Sequence, residues 1–152
     1  MNKIFFTIII FTSVFSIGQT NTANKPQKKA WKILIKNSND KEKNFKLIGQ
    51  TIIDNDFSIE KKDNDYLTFE TTPKVTDGKT STFFLKFVAK DNLIILTGMA
   101  KSRINTNFYG IEEEYLKISN VGMKGSISKD QFDTMLNFSK LFTNSEFEFI
   151  SE

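Results

Sequence analysis

Between Phe57 and Ile104 the chain repeats one arrangement: short runs of alternating apolar and polar residues, separated by tight polar turns. Phe57 to Lys61 leads into Asp63-Asn64-Asp65, and Tyr66 to Thr72 leads into Thr76-Asp77-Gly78-Lys79. Thr82 to Ala89 leads into Asp91-Asn92, and Leu93 to Ile104 completes the run. Asp-Gly and Asp-Asn tolerate the positive φ angles that tight hairpins need. Within the runs Phe57/Ile59, Leu67/Phe69, Phe83/Leu85/Phe87 and Leu93/Ile95 share faces. A period of two with such turns specifies a four-stranded antiparallel meander. Pro73 cannot donate to a ladder, so it belongs at an edge or a bulge.

An antiparallel sheet with one apolar face needs a cover, and the flanking sequence supplies two amphipathic helices. Trp31 to Lys36 first alternates as a half-buried strand, with Trp31, Ile33 and Ile35 on one face and Lys32 and Lys36 on the other. A helix follows, capped by Asn39 with Glu42 three residues on. Phe45, Ile48 and Ile52 line one side of it, Leu47 and Ile53 widen that stripe, and Asn55 ends it. A second helix starts at Ser128, where Ser128-Lys129-Asp130-Gln131 reads as a capping box. Its buried stripe is Phe132, Met135, Leu136, Ser139 and Phe142, widened by Phe138 and Leu141. Phe147 and Phe149 alternate with Glu146 and Glu148 in a last extended segment. Between meander and helix, residues 105–127 form an irregular insert with a short strand at Tyr115 to Ile118. The class is α+β, in the order β-α-β-β-β-β-(insert)-α.

A strand, a helix, a meander and a C-terminal helix resemble the TATA-binding-protein-like or helix-grip class of small exported bacterial domains. The resemblance is carried by Ile48-Gly49-Gln50 to Ile59, Thr68-Phe69-Glu70-Thr71-Thr72, Asn92 to Gly98 and Val121 to Phe142. The same shape occurs in the globular domains of outer-membrane assembly lipoproteins, from which this chain departs in lacking a lipobox Cys. What the resemblance implies is a fold rather than a function.

The N-terminus carries an address. Met1-Asn2-Lys3 is a short positive region, Ile4 to Ile17 is a run of 14 apolar-rich residues, and Ser16-Ile17-Gly18 places small residues before Gln19. This is the pattern of a signal peptide over residues 1–18, cleaved near Gly18/Gln19. Such a run spans about 21 Å as a helix, short of the ~30 Å hydrocarbon core. With no Cys there is no lipidation, and the expected location is periplasmic or secreted, with no membrane span left after cleavage. Residues 19–29, polar and containing Pro26, read as a disordered leader to a single domain over residues 30–152.

The 152 residues include no His and no Cys. That excludes Ser-His-Asp and Cys-His nucleophile pairs, thiolate chemistry, disulfides and Cys/His zinc sites. Twenty Lys against the single Arg103, at a net charge of +3, also argue against nucleic acid, whose readers rely on Arg forks. Phosphate-loop, dinucleotide and hydrolase-elbow motifs are missing from the sequence. Asp54/Asp56 and Asp63/Asp65 are the carboxylate pairs available for acid–base work, and both fall where turn chemistry accounts for them. Neither fits a calcium loop: Ile59 stands where Gly is required, and Asp63-x-Asp65 runs on into Leu67. No metal and no cofactor is expected.

The leading expectation is therefore a non-catalytic binding or interaction module of the cell envelope or exterior, for a protein or small ligand of that compartment. Its candidate surface is the open sheet face, where Phe84 and Val88 point away from Phe83 and Phe87, plus the segment from Arg103 to Tyr115. Arg103, Phe108 and Tyr109 are the candidate site residues, an aromatic pair beside the sole guanidinium in a loop. Two alternatives stand beside it. One is a carboxylate-dependent hydrolase of an envelope polymer, which needs two facing carboxyl groups in a cleft. The other is an accessory subunit of an envelope assembly, pairing through an exposed sheet edge.

Overall fold

The computed structural model describes residues 25–103 and 114–152. In chain order the elements are β1 (Ala30–Lys36), α1 (Lys41–Asp54), β2 (Ile59–Asp63), β3 (Thr68–Thr71), β4 (Lys74–Val75), β5 (Ser81–Lys90), β6 (Leu93–Ser102), β7 (Leu116–Lys117), α2 (Ile127–Ser139) and β8 (Glu146–Ser151). The strands form one antiparallel sheet in the order β2-β3-β5-β6-β1-β8. β4 runs beside β5 and β7 beside β6. The architecture is α+β, as the meander pattern requires, and Pro73 sits in the break between β3 and β4.

The longest ladder is the β5–β6 hairpin, in register from Ser81↔Ser102 to Lys90↔Leu93. Its turn is Asp91-Asn92, with Asn92 at φ 59°. Phe83, Leu85, Phe87 and Ala89 on β5, with Ile94, Leu96 and Ala100 on β6, are buried beneath the helices. Ile33 and Ile35 of β1 extend that surface. From above, α1 contributes Phe45, Ile48 and Ile52, and α2 contributes Phe132, Met135 and Phe138. Aromatic rings knit the layers together. Phe45 stacks on Phe69 at 4.5 Å between centroids, and Phe138 meets Phe57 edge-on at 5.0 Å and Phe87 at 5.5 Å. At Gly98 both α2 and the Ile118 segment press close on the sheet. A Cβ there would lie 2.8 Å from Ile118 Cδ1 and 3.2 Å from Met135 Sδ.

Both helix starts differ from the sequence expectation. Asp40, not Asn39, caps α1, accepting from the Lys43 N–H at 2.8 Å. Asn39 is engaged elsewhere: its carbonyl accepts from the Asn92 N–H at 2.7 Å, tying the helix entry to the β5–β6 turn. Ser126, not Ser128, caps α2, accepting from the Lys129 N–H at 3.3 Å. Gln131 donates instead to Ser81 Oγ at 2.7 Å. The apolar stripes are also narrower than expected, since Ile53 and Leu141 are exposed. Ile53 sits about 100° round the helix from the buried Ile52, and Leu141 lies past the end of α2 at Ser139.

Trp31 is the largest displacement. A register irregularity between Ala30 and Lys32 interrupts the β1–β8 ladder. The extra residue lets Ala30, Ile33 and Ile35 be buried while Trp31 turns to the opposite face with Lys32. The end of the polar leader is tied down as well. Asn120 Nδ2 donates to the carbonyls of Pro26 and Gln27 at 3.1 and 2.7 Å.

Candidate functional site: the open sheet face

Both helices pack on one side of the sheet, so the alternate residues of β1, β5 and β6 form a second face that no described helix overlies. Leu34, Ile95 and Val88 stand opposite one another in a row across β1, β6 and β5. Lys117, Met99 and Phe84 form a parallel row across β7, β6 and β5. All but Lys117, which is exposed, are half-buried. Tyr115, just before β7, packs edge-on against Phe84 with centroids 5.0 Å apart. Phe84 and Val88 thus lie on the face their alternation specified.

Lysines lie among these apolar groups. The ammonium groups of Lys32 and Lys117 approach the Trp31 ring at 4.6 and 4.5 Å. Lys101 approaches Tyr115 at 5.0 Å, and Lys86 approaches Phe84 at 5.3 Å. Each is within the range where the ring quadrupole attracts a cation. Three acids of the face are already engaged. Glu148 pairs with Lys36 at 2.6 Å, Glu70 with Lys86 at 3.2 Å and Lys61 at 3.3 Å, and Glu152 with Lys117. Burial raises the Glu70 carboxyl pKa, but hydrogen bonds and charge from Lys86 and Lys61 more than offset this and hold it below its ordinary value. The hydrogen bond from Lys36 to Glu148 raises the Lys36 ammonium above its ordinary value. Lys32 and Lys101 pair with no carboxylate among the described residues. The face is therefore apolar and aromatic in its rows and cationic in its balance.

Arg103 lies exposed just past β6, its N–H donating to the Thr80 carbonyl at 2.9 Å. Phe108 and Tyr109 lie outside the described residues. Trp31 is the member of this face that sequence reasoning assigned to the core, whereas Tyr115 closes the candidate segment that begins at Arg103. For Trp31 the local alternation pointed to the core, and only the bulge reverses it. Tyr115 was legible as part of a short strand, but its partner across the sheet was not.

The carboxylate pairs are in corners. Asp63 Oδ1 accepts from the N–H groups of Asp65 and Tyr66, both at 2.9 Å, the self-capping turn expected of Asp at such a position. Asp56 is itself a turn residue at φ 60°. Among the described residues no three Asp or Glu gather as a metal site, and no helix is long and apolar enough to cross a membrane. No protein-family model matches the chain, and no curated protein or solved structure matches it.

Proposed function

We propose that the protein is a non-catalytic binding module of the cell envelope or exterior, which captures a protein partner on the open face of its sheet. The observation that carries this reading is the composition of that face. Trp31, Leu34, Phe84, Ile95, Met99 and Tyr115 stand half-exposed on it while Lys32 and Lys101 lack carboxylate partners among the described residues. A rigid sheet presenting aromatic and aliphatic anchors among cations is suited to a broad, shallow contact rather than to enclosing a small molecule. Export follows from the signal-peptide pattern of residues 1–18. The carboxylate-hydrolase alternative draws no support from Asp63, whose carboxylate is spent on its own turn.

A photo-crosslinking residue placed at Thr97, in the middle of the face, is expected to trap a discrete protein adduct in cell-envelope preparations. The same residue at Lys46, exposed on α1, is expected to trap none. Equal labelling from both positions, or none from Thr97, overturns the assignment.

A further inference from the structure

The two edges of the sheet are built differently. β2, at one edge, is disrupted by a register irregularity between Ile59 and Lys61 and is exposed from Glu60 to Asp63. A bulge and a run of charges are the usual means of preventing a sheet edge from recruiting another strand. β8, at the other edge, carries no Pro and no Lys, and its ladder with β1 is continuous from Lys32↔Ile150 to Lys36↔Glu146. Its acids Glu146 and Glu148 oppose Lys36 and Leu34 on the open-face side, where Glu148 is neutralised by Lys36. Phe147 and Phe149 oppose Ile35 and Ile33 and so point to the helix side, while Ile150 opposes Lys32.

There, beside the edge, lies a groove of about 640 Å³ lined by Phe147, Phe149 and Leu136, with Lys25 and Lys140 facing one acid, Glu146. Phe147, Phe149 and Leu136 pack only partly against the core, so apolar surface faces the groove. Lys25 and Lys140 are both exposed, and neither pairs with a carboxylate among the described residues. Lys140 Nζ donates only to the neutral Asn137 Oδ1, at 3.2 Å.

We infer that β8 is a second docking site, separate from the open face, which accepts an extended peptide segment of acidic, alternating-apolar chemistry as an added antiparallel or parallel strand. Strand addition meets the outward N–H and C=O groups of β8, which bond no other strand among the described residues, and alternate side chains of the incoming segment fall on the groove side. Aliphatic side chains there cover Phe147, Phe149 and Leu136. Carboxylates at the ends of the segment meet the ammonium groups of Lys25 and Lys140, which outnumber the one groove acid Glu146, and this excess of positive charge selects an acidic peptide over a basic one. Because the site uses the edge and the helix side, it stands or falls independently of the open-face reading.

The probe is a short synthetic peptide alternating Val and Thr with Asp at each end, titrated against the protein by calorimetry and by residue-resolved amide hydrogen exchange. Saturable binding is expected, with slowed exchange at the outward amides of residues 146–151 and unchanged exchange in β2. N-methylating the peptide residues that face β8 is expected to weaken binding at least tenfold, while N-methylating the intervening ones leaves it unchanged. This control alters the peptide alone and leaves the fold intact. Lys25→Glu with Lys140→Glu is expected to reverse the preference toward a Lys-ended peptide. No saturable binding at millimolar peptide, indifference to N-methylation, or protection in β2 instead overturns the inference. So does slow exchange of every β8 amide in the free protein, since the edge would then already be paired.

Discussion

Asp130, in the first turn of α2, accepts the Thr80 hydroxyl on Oδ2 at 2.5 Å and the Gly78 N–H on Oδ1 at 2.8 Å. One carboxylate thereby holds the turn before β5 against the start of the second helix. Its neighbour Thr134 adds to this by accepting from the Asp77 N–H at 3.2 Å. Asp130→Asn replaces one acceptor oxygen by a donor and removes the charge. Hydrogen bonds to charged groups are among the stronger ones, but this site is partly open to solvent, so a loss of about 1 kcal/mol is expected. Urea unfolding of the two proteins checks it, and an unchanged midpoint would show that the turn holds itself.

Acid should act through the same residue and through Glu70. Burial raises the Asp130 carboxyl pKa, yet the hydrogen bonds from Thr80, Thr76 and Gly78 prevail and hold it below its ordinary 3.8. Glu70 is held below its ordinary 4.5 in the same sense. Because both folded values lie below the unfolded ones, their contribution is complete above about pH 5. It is lost as pH falls through the folded values. The melting temperature is therefore expected to be flat from neutrality to about pH 5 and to fall below it. Asp130→Asn with Glu70→Gln should lower the plateau and shallow the acid limb, and a limb of unchanged slope would assign acid sensitivity to other groups.

Asn44 is fully buried at the start of α1. Its side chain accepts from Asn37 Nδ2 and donates to the Lys90 carbonyl, both at 2.8 Å, joining the ends of β1 and β5 to the helix. Asn44→Leu is close in size and leaves both partners unsatisfied. A cost of about 2–3 kcal/mol is expected, given the penalty for stranded buried polar groups. Denaturant titration measures it, and a loss below half that figure would mean that the partners find water.

Gly98 is tightly packed, with Ile118, Met135 and Leu85 all within 3.3 Å of where a Cβ would stand. Gly98→Ala should cost about 1–3 kcal/mol through overpacking, and Gly98→Val more, because a second methyl has no space to enter. The ordering Gly, Ala, Val in thermal midpoints is the test. An Ala variant more stable than the parent would show that the Ile118 end moves aside freely.

The meander was legible because the β5–β6 hairpin carries its local signals together: alternation through Phe83, Leu85 and Phe87, then a turn at Asp91-Asn92. In β6 the sequence singled out Leu93 and Ile95, which do share a face, but it is the open one; the buried set is Ile94 and Leu96. β4 was not legible as such, since a two-residue strand exists only through the neighbour it pairs with, while β7 falls within the short strand expected at Tyr115 to Ile118 and only its pairing with β6 was hidden. Helix starts at Asp40 and Ser126 competed with nearby Asn39 and Ser128, equally good caps by residue type. Tertiary bonds decided between them, as with Asn39 and the β5–β6 turn. The same holds for the candidate site. Phe84 and Val88 follow from period two. Trp31 does not, because a bulge has no signature in WKILIK.

β1 is flanked by β6 on one side and β8 on the other. The first strand in sequence is thus completed by the last, with Ala30 opposite Ser151. The consequence concerns the order of assembly. Hairpins close in microseconds, so β5 and β6 can pair while most of the chain is still unstructured. The pairing of β1 with β8 must wait until both ends have arrived, and contacts of such sequence separation form slowly. Until then β1 presents an unsatisfied margin, and the β1–β8 seam is expected to close after the β5–β6 hairpin, like a clasp.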